Sequence, residues 1–244
     1  MAERDDRAAW YRRHEWRMPL AIGSAALVAA VLLGAAITFG QAGIVLAVDE
    51  WWAAVMLGVR GPVGDTTSYF MNFIGGGRFA VFAVPVTTAV VLLIVRRPWA
   101  AGYFIVGSAA SAGVVQLLKN TFDRGRPEDM IVASDFGSFP SGHAANAATI
   151  AVVFGVLFPH VWVWVLGAVY AVLMALSRTY LGAHWLSDTV GGMLVGAGVA
   201  LVLWAAFARP LESERLARLE RVSDRSESRA QAKVSPPEQG SGRL

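Results

Sequence analysis

Residues 189–208 read TVGGMLVGAGVALVLWAAFA, a run of 20 positions without Asp, Glu, Lys or Arg. An α-helix of about 20 apolar residues spans the hydrocarbon core of a lipid bilayer. The residues immediately before this run, 177–188, read SRTYLGAHWLSD and include an arginine, a histidine and an aspartate. Together the two stretches predict a membrane-spanning helix with ionisable side chains clustered at its start.

Other apolar runs of the chain predict five further membrane spans. The run 144–176 is too long for one crossing and contains Pro159-His160 near its middle, so we interpret it as two short spans joined by a turn. Three more runs without acidic or basic residues have the length of one span: residues 20–39, 79–95 and 98–118. The sequence therefore predicts an all-α, polytopic membrane protein with six transmembrane helices.

The composition agrees with a membrane protein. Of 244 residues, 55% are hydrophobic and only 16% are charged, whereas soluble domains carry about 25% charged residues. The net charge of +3 is small and the arginines lie mainly outside the apolar runs, which argues against nucleic-acid binding. The absence of cysteine excludes disulfides and thiol nucleophiles and argues against a structural zinc site.

The distribution of basic residues predicts the orientation. In a six-span topology one side carries five arginines before the first run, then Arg96 and Arg97, and then eight Lys or Arg residues after position 208. By the positive-inside rule this side is the cytoplasm. We therefore expect a multi-pass protein of a bacterial inner (cytoplasmic) membrane, with both termini cytoplasmic.

We expect the chain to consist of three segments. Residues 1–19 form a cytoplasmic N-terminal segment, residues 20–208 the membrane domain, and residues 209–244 a cytoplasmic tail in which a short helix frays into disorder. Within the membrane domain, residues 40–78 predict an extracytoplasmic loop with interfacial helices, and we interpret 49-DEWW-52 as an interfacial anchor rather than the rim of a lipid entry groove. The first apolar run exceeds the roughly 7–15 residues of a signal-peptide core, so we expect it to stay uncleaved.

Three polar clusters fall on the extracytoplasmic side of the predicted membrane. The segment 119–127, KNTFDRGRP, follows the third span, 138–143, SFPSGH, opens the fourth, and 177–188 joins the fifth and sixth. Polar groups are rarely retained idly in a membrane chain, so their coincidence on one face predicts a functional site. Asp123 and Arg124 are interpreted as loop charges that pair with each other.

The clusters contain residues suited to bind a phosphate. Lys119, Arg126 and Arg178 are three fixed cations, which stabilise a phosphoryl group whose charge redistributes in a transition state. Ser141 and Gly142 lie at a predicted helix start, where backbone N–H groups favour an anion. In isolation, Lys119 is better explained as a snorkelling anchor and Ser141 as a helix N-cap.

Two histidines add potentially reactive groups. His184 and Asp188 are four residues apart, which predicts that they share one face of a helix. An aspartate there can hold one ring nitrogen and leave the other to attack, while His143 can protonate a departing oxygen. A satisfied interfacial pair explains His184 and Asp188 equally well in isolation, but the joint occurrence of cations, histidines and an acid favours a site.

The spacing of these residues resembles a known three-part signature. Its parts, in order, are Lys119 followed after six residues by Arg126-Pro127, then Pro140-Ser141-Gly142-His143, then Ser177-Arg178 followed after five residues by His184 and after three more by Asp188. This resembles the signature of the type 2 phosphatidic acid phosphatase (PAP2) family. With the predicted spans, the resemblance covers roughly residues 20–208.

The resemblance implies a metal-independent lipid phosphatase without a cofactor, built as a PAP2/haloperoxidase-like helical bundle. It implies that His184 is the nucleophile and forms a phosphohistidine, that Asp188 orients it, and that His143 is the general acid. The phosphate-binding residues that it implies are Lys119, Arg126, Pro127, Ser141, Gly142 and Arg178. Vanadium-dependent haloperoxidases carry similar motifs, but those relatives are soluble, so the predicted spans disfavour that activity.

The resemblance and the predicted topology together suggest a substrate. Family members act on phosphatidate, phosphatidylglycerol phosphate and polyprenyl phosphates or diphosphates, and a carrier lipid released at the outer leaflet suits an extracytoplasmic site. We therefore expect hydrolysis of undecaprenyl diphosphate to undecaprenyl phosphate, with phosphatidate or phosphatidylglycerol phosphate as the alternative. A polytopic transporter is the non-enzyme alternative, which is disfavoured because the ionisable groups lie at helix ends. We expect no obligate protein partner.

Overall fold

Helices make up all the regular structure in the residues that the computed structural model describes, 16–40, 42–77, 79–134 and 136–234. They are α1 (Arg17–Thr38), α2 (Gly43–Gly58), α3 (Pro62–Gly75), a π-helix (Phe79–Ala83), α4 (Val84–Ile94), α5 (Pro98–Phe122), α6 (Gly142–Leu157), α7 (Val161–Tyr180) and α8 (Leu186–Val234). Most of the expected N-terminal segment and the last ten residues of the expected tail lie outside these ranges.

Each of the six predicted spans is helical, but a count of six crossings is not confirmed. By length and composition α1, α5, α7 and α8 can each cross a membrane, and a fifth span results if α3 and the helical stretch Phe79–Ile94, bent by 44° relative to each other, act as one. The 16 residues of α6 measure about 24 Å along the helix axis, which is shorter than the roughly 30 Å hydrocarbon core. The orientation depends on this count and stays a prediction.

The chain reverses where the sequence predicts a turn. Helix α6 ends at Leu157 and α7 begins at Val161, so the proline at position 159 separates two helices. Pro159 can be accommodated there because it need not donate a backbone hydrogen bond inside a helix. The long apolar run is therefore two antiparallel neighbours, and their outer ends bring residues 138–143 and 177–188 towards the same side.

The described part of the predicted loop 40–78 contains two helices, α2 and α3, that are hydrogen-bonded to the end of α7. Trp52 Nε1 donates to Thr179 Oγ1 at 3.0 Å, and Tyr180 Oη donates to Asp65 Oδ1 at 2.8 Å. Within the predicted anchor 49-DEWW-52, Trp51 is 61% exposed but Asp49 only 2%. The interfacial-anchor prediction is therefore wrong for Asp49, whose carboxylate is enclosed by protein.

A core of apolar side chains holds α1, α5, α6 and α8 together. A Cβ atom added at Gly196 would overlap the carbonyl oxygen of Ala145, so α6 and α8 meet backbone to backbone, as small residues permit in membrane helices. The core includes Ala30, Val115, Leu118, Phe139, Ala145, Val195 and Val199. This packing holds the start of α6 beside the start of α8, where the second and third polar clusters lie.

The described residues from Ala208 onwards form a structural unit of their own. Helix α8 continues through this unit to Val234, and Leu216 and Leu219 are exposed on it. The division of the chain at residues 19 and 208 into cytoplasmic and membrane segments remains a prediction.

Candidate active site

His184 lies in the turn between α7 and α8. Helix α7 ends at Tyr180 and α8 begins at Leu186, so His184 precedes the helix on which Asp188 occupies the first turn. The prediction that both share one helix face is therefore wrong. Gly182 makes this turn with φ of +66°, and a side chain there would also press on the carbonyl oxygen of Asp129.

The carbonyl oxygen of Ser138 determines which nitrogen of His184 carries the proton. His184 Nδ1 is 2.8 Å from that oxygen, and because a carbonyl can only accept, Nδ1–H donates and Nε2 keeps its lone pair. The nearest carboxylate oxygen of Asp188 is 3.6 Å from Nδ1. The ring is therefore oriented by a main-chain carbonyl, which the sequence analysis did not find, with Asp188 as a nearby charge.

The surroundings keep the His184 imidazole neutral. Burial lowers the pKa of His184 to about 4, the neighbouring Asp188 opposes this shift, and the cations of Arg178 and Arg126 add to it. A His that is neutral at pH 7, with Nδ1 protonated and Nε2 unprotonated, is in the form required of a nitrogen nucleophile.

Asp188 ties together the turn and the loop that surround His184. Its carboxylate accepts hydrogen bonds from the Ser138 hydroxyl and from the Trp185 N–H at 2.8 Å. Its main-chain carbonyl accepts from the N–H of Ser141 at 2.9 Å. Asp188 thus orients His184 through the segments on both sides of the ring rather than by a short bond to it.

Arg124 also bonds to Asp188, contrary to the sequence analysis. The Arg124 Nη1 donates to Asp188 Oδ1 at 2.6 Å, while Nη2 donates to Asp49 Oδ2 at 2.7 Å. Its neighbour Asp123 takes a left-handed backbone conformation at the end of α5. The prediction that Asp123 and Arg124 pair with each other as loop charges is therefore wrong for Arg124, which bridges two buried carboxylates.

Arg126 lies beside the unprotonated nitrogen of His184. Its Nη1 is 3.4 Å from His184 Nε2 and also donates to the Ala183 carbonyl, and its Nη2 donates to the Gly137 carbonyl at 2.8 Å. These bonds hold the guanidinium next to the unprotonated nitrogen of His184. The following Pro127 borders a separate cavity of about 20 Å³ that also touches His184.

Lys119 is enclosed by the loop that precedes α6. It lies in the last turn of α5, is 3% exposed, and its Nζ donates to the carbonyls of Gly137 at 3.0 Å and Phe136 at 3.3 Å. A snorkelling lysine extends its ammonium group towards water. The buried position of Lys119 excludes that explanation.

The start of α6 supplies a helix N-terminus, as the sequence predicts. Ser141 is the N-cap, its Oγ accepts from the Ala144 N–H at 3.5 Å, and Gly142 is the first helical residue. The positive end of the helix and its first N–H groups are suited to an anion in front of it.

Asn72 on α3, which no sequence motif indicated, contacts both His143 and Arg178. The Nε2 of His143 is 3.3 Å from the Asn72 main-chain oxygen, and Arg178 Nη1 donates to the Asn72 side-chain oxygen. A Cβ atom at Gly76 would overlap the His143 ring. The glycines at 75–77 were the available sequence signal, since they mark a close backbone approach.

A cavity of about 1100 Å³ joins these residues. Its lining includes the two histidines, two of the three cations and the first residue of α6: Lys119, Gly142, His143, Arg178 and His184. Elsewhere its wall is largely apolar, formed by the π-helix, α4 and α5: Phe79, Val81, Phe82, Val86, Ile105 and Ala112. The arrangement can hold an anion next to two imidazoles with an apolar chain attached.

Curated relatives match the part of the chain that carries these residues. The chain is 34% identical over 128 residues to an undecaprenyl-diphosphatase of Sulfolobus acidocaldarius, covering 49% of this chain and 60% of that protein. It is 30% identical over 122 residues to a lipid A 1-phosphatase of Rhizobium johnstonii (46% and 49%) and 32% identical over 112 residues to phosphatidylglycerophosphatase B of Bacillus subtilis (41% and 55%). The chain thus spans about half to 60% of the length of these relatives.

Two solved structures share the fold. A transmembrane PAP2-type phosphatidylglycerolphosphate phosphatase from Bacillus subtilis superposes with a TM-score of 0.67 at 25% identity, covering 74% of this chain and 93% of that chain. LpxE from Aquifex aeolicus superposes with a TM-score of 0.55 at 24% identity, covering 62% and 91%. Residues 100–211 match the PAP2 superfamily model. All the candidate site residues lie in that segment, which is therefore similar in sequence and fold to the PAP2 superfamily.

Proposed function

We propose that this protein is a membrane lipid phosphatase that hydrolyses a lipid phosphate monoester or diphosphate through a phosphohistidine intermediate. The observation that carries the proposal is one cavity whose lining combines both histidines, Lys119 and Arg178 with a largely apolar wall. A phosphate headgroup needs the first environment and a hydrocarbon chain needs the second.

In the first step His184 Nε2 attacks the terminal phosphorus. The N–P bond forms as the bond from phosphorus to the lipid oxygen breaks, and His143 gives a proton to the departing oxygen. For a diphosphate the departing group is the lipid monophosphate. Arg126, Arg178 and Lys119 bind the phosphoryl oxygens, whose charge redistributes in the transition state.

In the second step water replaces the enzyme on phosphorus. His143, now neutral, takes a proton from the water as its oxygen bonds to phosphorus, the N–P bond breaks, and inorganic phosphate leaves. The positive charge that His184 carries between the steps faces the Ser138 carbonyl and the Asp188 carboxylate, both of which favour it. Dividing the displacement in this way replaces one difficult step by two easier ones.

Metal independence is part of the proposal. A divalent ion in a phosphatase neutralises the phosphoryl oxygens and activates the nucleophile. Here the three fixed cations perform the first task, and the neutral, oriented imidazole of His184 makes the second unnecessary.

The proposed substrate is undecaprenyl diphosphate. The expected extracytoplasmic site and the similarity to an undecaprenyl-diphosphatase support it. Phosphatidate and phosphatidylglycerol phosphate are the alternatives, the latter supported by the Bacillus subtilis relative. The lipid A 1-phosphatase relative adds a lipid-linked sugar phosphate to the substrates that need testing.

The test is phosphate release by purified protein in detergent from undecaprenyl diphosphate, phosphatidate, phosphatidylglycerol phosphate and lipid A. The wild type is compared with His184→Ala and with His160→Ala, a matched control in the exposed turn between α6 and α7. We expect turnover in the wild type and in His160→Ala, and none in His184→Ala. An inactive wild type, or a His184→Ala protein as active as the wild type, would overturn the proposal.

A further inference from the structure

Helix α2 contains one buried acid. Of the residues Gly43–Gly58, all of which the structure describes, Asp49 alone is buried, with 2% of its surface exposed. A carboxylate removed from water is costly unless it is paired and hydrogen-bonded. The one buried position of this largely apolar helix is therefore occupied by a residue that needs a partner from elsewhere in the chain.

The partners of Asp49 belong to the candidate active site. Its Oδ2 accepts from Arg124 Nη2 at 2.7 Å and from the Ser187 hydroxyl at 2.5 Å, and its Oδ1 accepts from the Ser187 N–H at 2.8 Å. The other terminal nitrogen of Arg124 bonds to Asp188 Oδ1 at 2.6 Å. A continuous chain of charges thus runs from Asp49 through Arg124 to Asp188, whose second oxygen is 3.6 Å from His184.

The charges of Asp49, Arg124 and Asp188 alternate in sign, and this alternation determines whether Asp188 can stabilise a positive charge on His184. When His184 Nε2 bonds to phosphorus, the ring becomes positive, and a negative Asp188 stabilises it. Arg124 is in direct contact with Asp188 and would cancel that negative charge if it were the only neighbour. Asp49 neutralises Arg124, so the three groups together keep one net negative charge beside the ring.

We propose that Asp49 is a positioning residue of the reaction, which neutralises Arg124 so that Asp188 can stabilise the charged form of His184. The inference rests on the proposed phosphohistidine mechanism. Asp49 lies outside residues 100–211, which match the family model, so the assignment comes from its contacts in this chain. Helix α2 thereby contributes to the chemistry, in addition to covering the turn before α8.

The test compares Asp49→Asn with Glu50→Gln. Both substitutions remove one negative charge from adjacent positions of α2, but Glu50 is exposed and Asp49 is buried. With farnesyl diphosphate and dioctanoyl phosphatidate as soluble probes, we expect Asp49→Asn to lower kcat by roughly 10- to 100-fold, the range typical of the outer partners of a reactive group, with KM changed less than about threefold. Glu50→Gln should keep the wild-type kcat.

A second comparison separates charge neutralisation from a structural role. In an Arg124→Gln background there is no cation to neutralise, so adding Asp49→Asn should change kcat by less than about threefold. This comparison decides the question even where Asp49→Asn alone fails to fold. A fall in kcat of more than about threefold when Asp49→Asn is added to Arg124→Gln, or a wild-type kcat in Asp49→Asn alone, would overturn the inference.

The same preparations distinguish this failure from that of the proposed function. If the wild type releases no phosphate from any lipid substrate, the phosphatase proposal fails and the role of Asp49 fails with it. A second outcome is that the wild type is active and His184→Ala is inactive, but the Asp49→Asn variants do not show the expected changes in kcat. In that case only the role of Asp49 is overturned.

Discussion

The ring of His143 packs directly against the backbone of Gly76, so closely that a Cβ atom at Gly76 would overlap the ring nitrogen Nε2. His143 comes from the first turn of α6, and Gly76 from the end of α3, outside the segment that matches the family model. The general acid of the proposed mechanism is therefore held in place by a part of the chain that carries none of the three signature clusters.

Replacement of Gly76 by alanine should displace His143 and lower activity. We expect Gly76→Ala to reduce kcat for a lipid phosphate by about 10²-fold or more, because a misplaced acid cannot protonate the leaving oxygen. Gly113→Ala is the matched control, since a Cβ atom there meets open space. Equal kcat values for the wild type and Gly76→Ala in a phosphate-release assay would contradict the role given to this contact.

Replacement of His143 itself should have an effect that depends on the leaving group. We expect His143→Ala to lower kcat by roughly 10²–10⁴-fold for a lipid phosphate and by much less for an activated aryl phosphate, whose departing oxygen needs no proton. The measurement is kcat for both substrates in both proteins. An equal loss for the two substrates would show that His143 does not act as the acid.

Lowering the pH should inhibit the enzyme only well below the ordinary pKa of histidine. Burial lowers the pKa of His184 to about 4. The nitrogen that attacks in the proposed mechanism therefore stays unprotonated down to that pH, and below it protonation removes the nucleophile. We expect the acid limb of kcat/KM, which reports the free enzyme, near pH 4 rather than 6.5.

Two substrates whose phosphates ionise at different pH values provide the control for this profile. If the acid limb of kcat/KM arises from ionisation of the substrate, its pH midpoint changes with the substrate. If it arises from His184, the midpoint is the same for both substrates. An acid limb near pH 6.5 that is common to both substrates would contradict the environment described for His184.

Removal of metal ions should leave activity intact. Because Lys119, Arg126 and Arg178 supply the positive charge at the proposed phosphate site, we expect the same kcat before and after dialysis against EDTA. A kcat that falls on chelation and returns with added Mg²⁺ would replace the metal-free mechanism by one in which a divalent ion binds the phosphate.

The helical positions were predictable because they depend on local patterns. Apolar runs mark the membrane helices, and Pro159 marks the reversal between α6 and α7. The candidate site residues were recognisable for a similar reason, since the three clusters lie at helix ends whose order along the chain places them together. His143 and His184, 41 positions apart in the sequence, consequently line one cavity.

The interactions that connect distant segments could not be predicted. The bond from Asp49 to Arg124 joins residues 75 positions apart, and no periodicity in either segment points to the other. Every residue has a main-chain carbonyl, so the sequence does not single out that of Ser138. Its hydrogen bond to His184 arises only from the path of the loop. The predicted number of crossings is not confirmed, because α6 is short for a span and α4 follows a π-helix.

The predicted orientation can be tested with single cysteines, because the native chain contains none. Phe136 lies in the loop before α6 and is 61% exposed, and Leu219 in the C-terminal unit is 58% exposed. If the positive-inside rule holds, an impermeant maleimide added to intact cells should label Phe136→Cys and should label Leu219→Cys only after permeabilisation. Labelling of both from outside would mean an even number of crossings between them, whereas the reverse pattern would put the site in the cytoplasm and remove the argument for an outer-leaflet substrate.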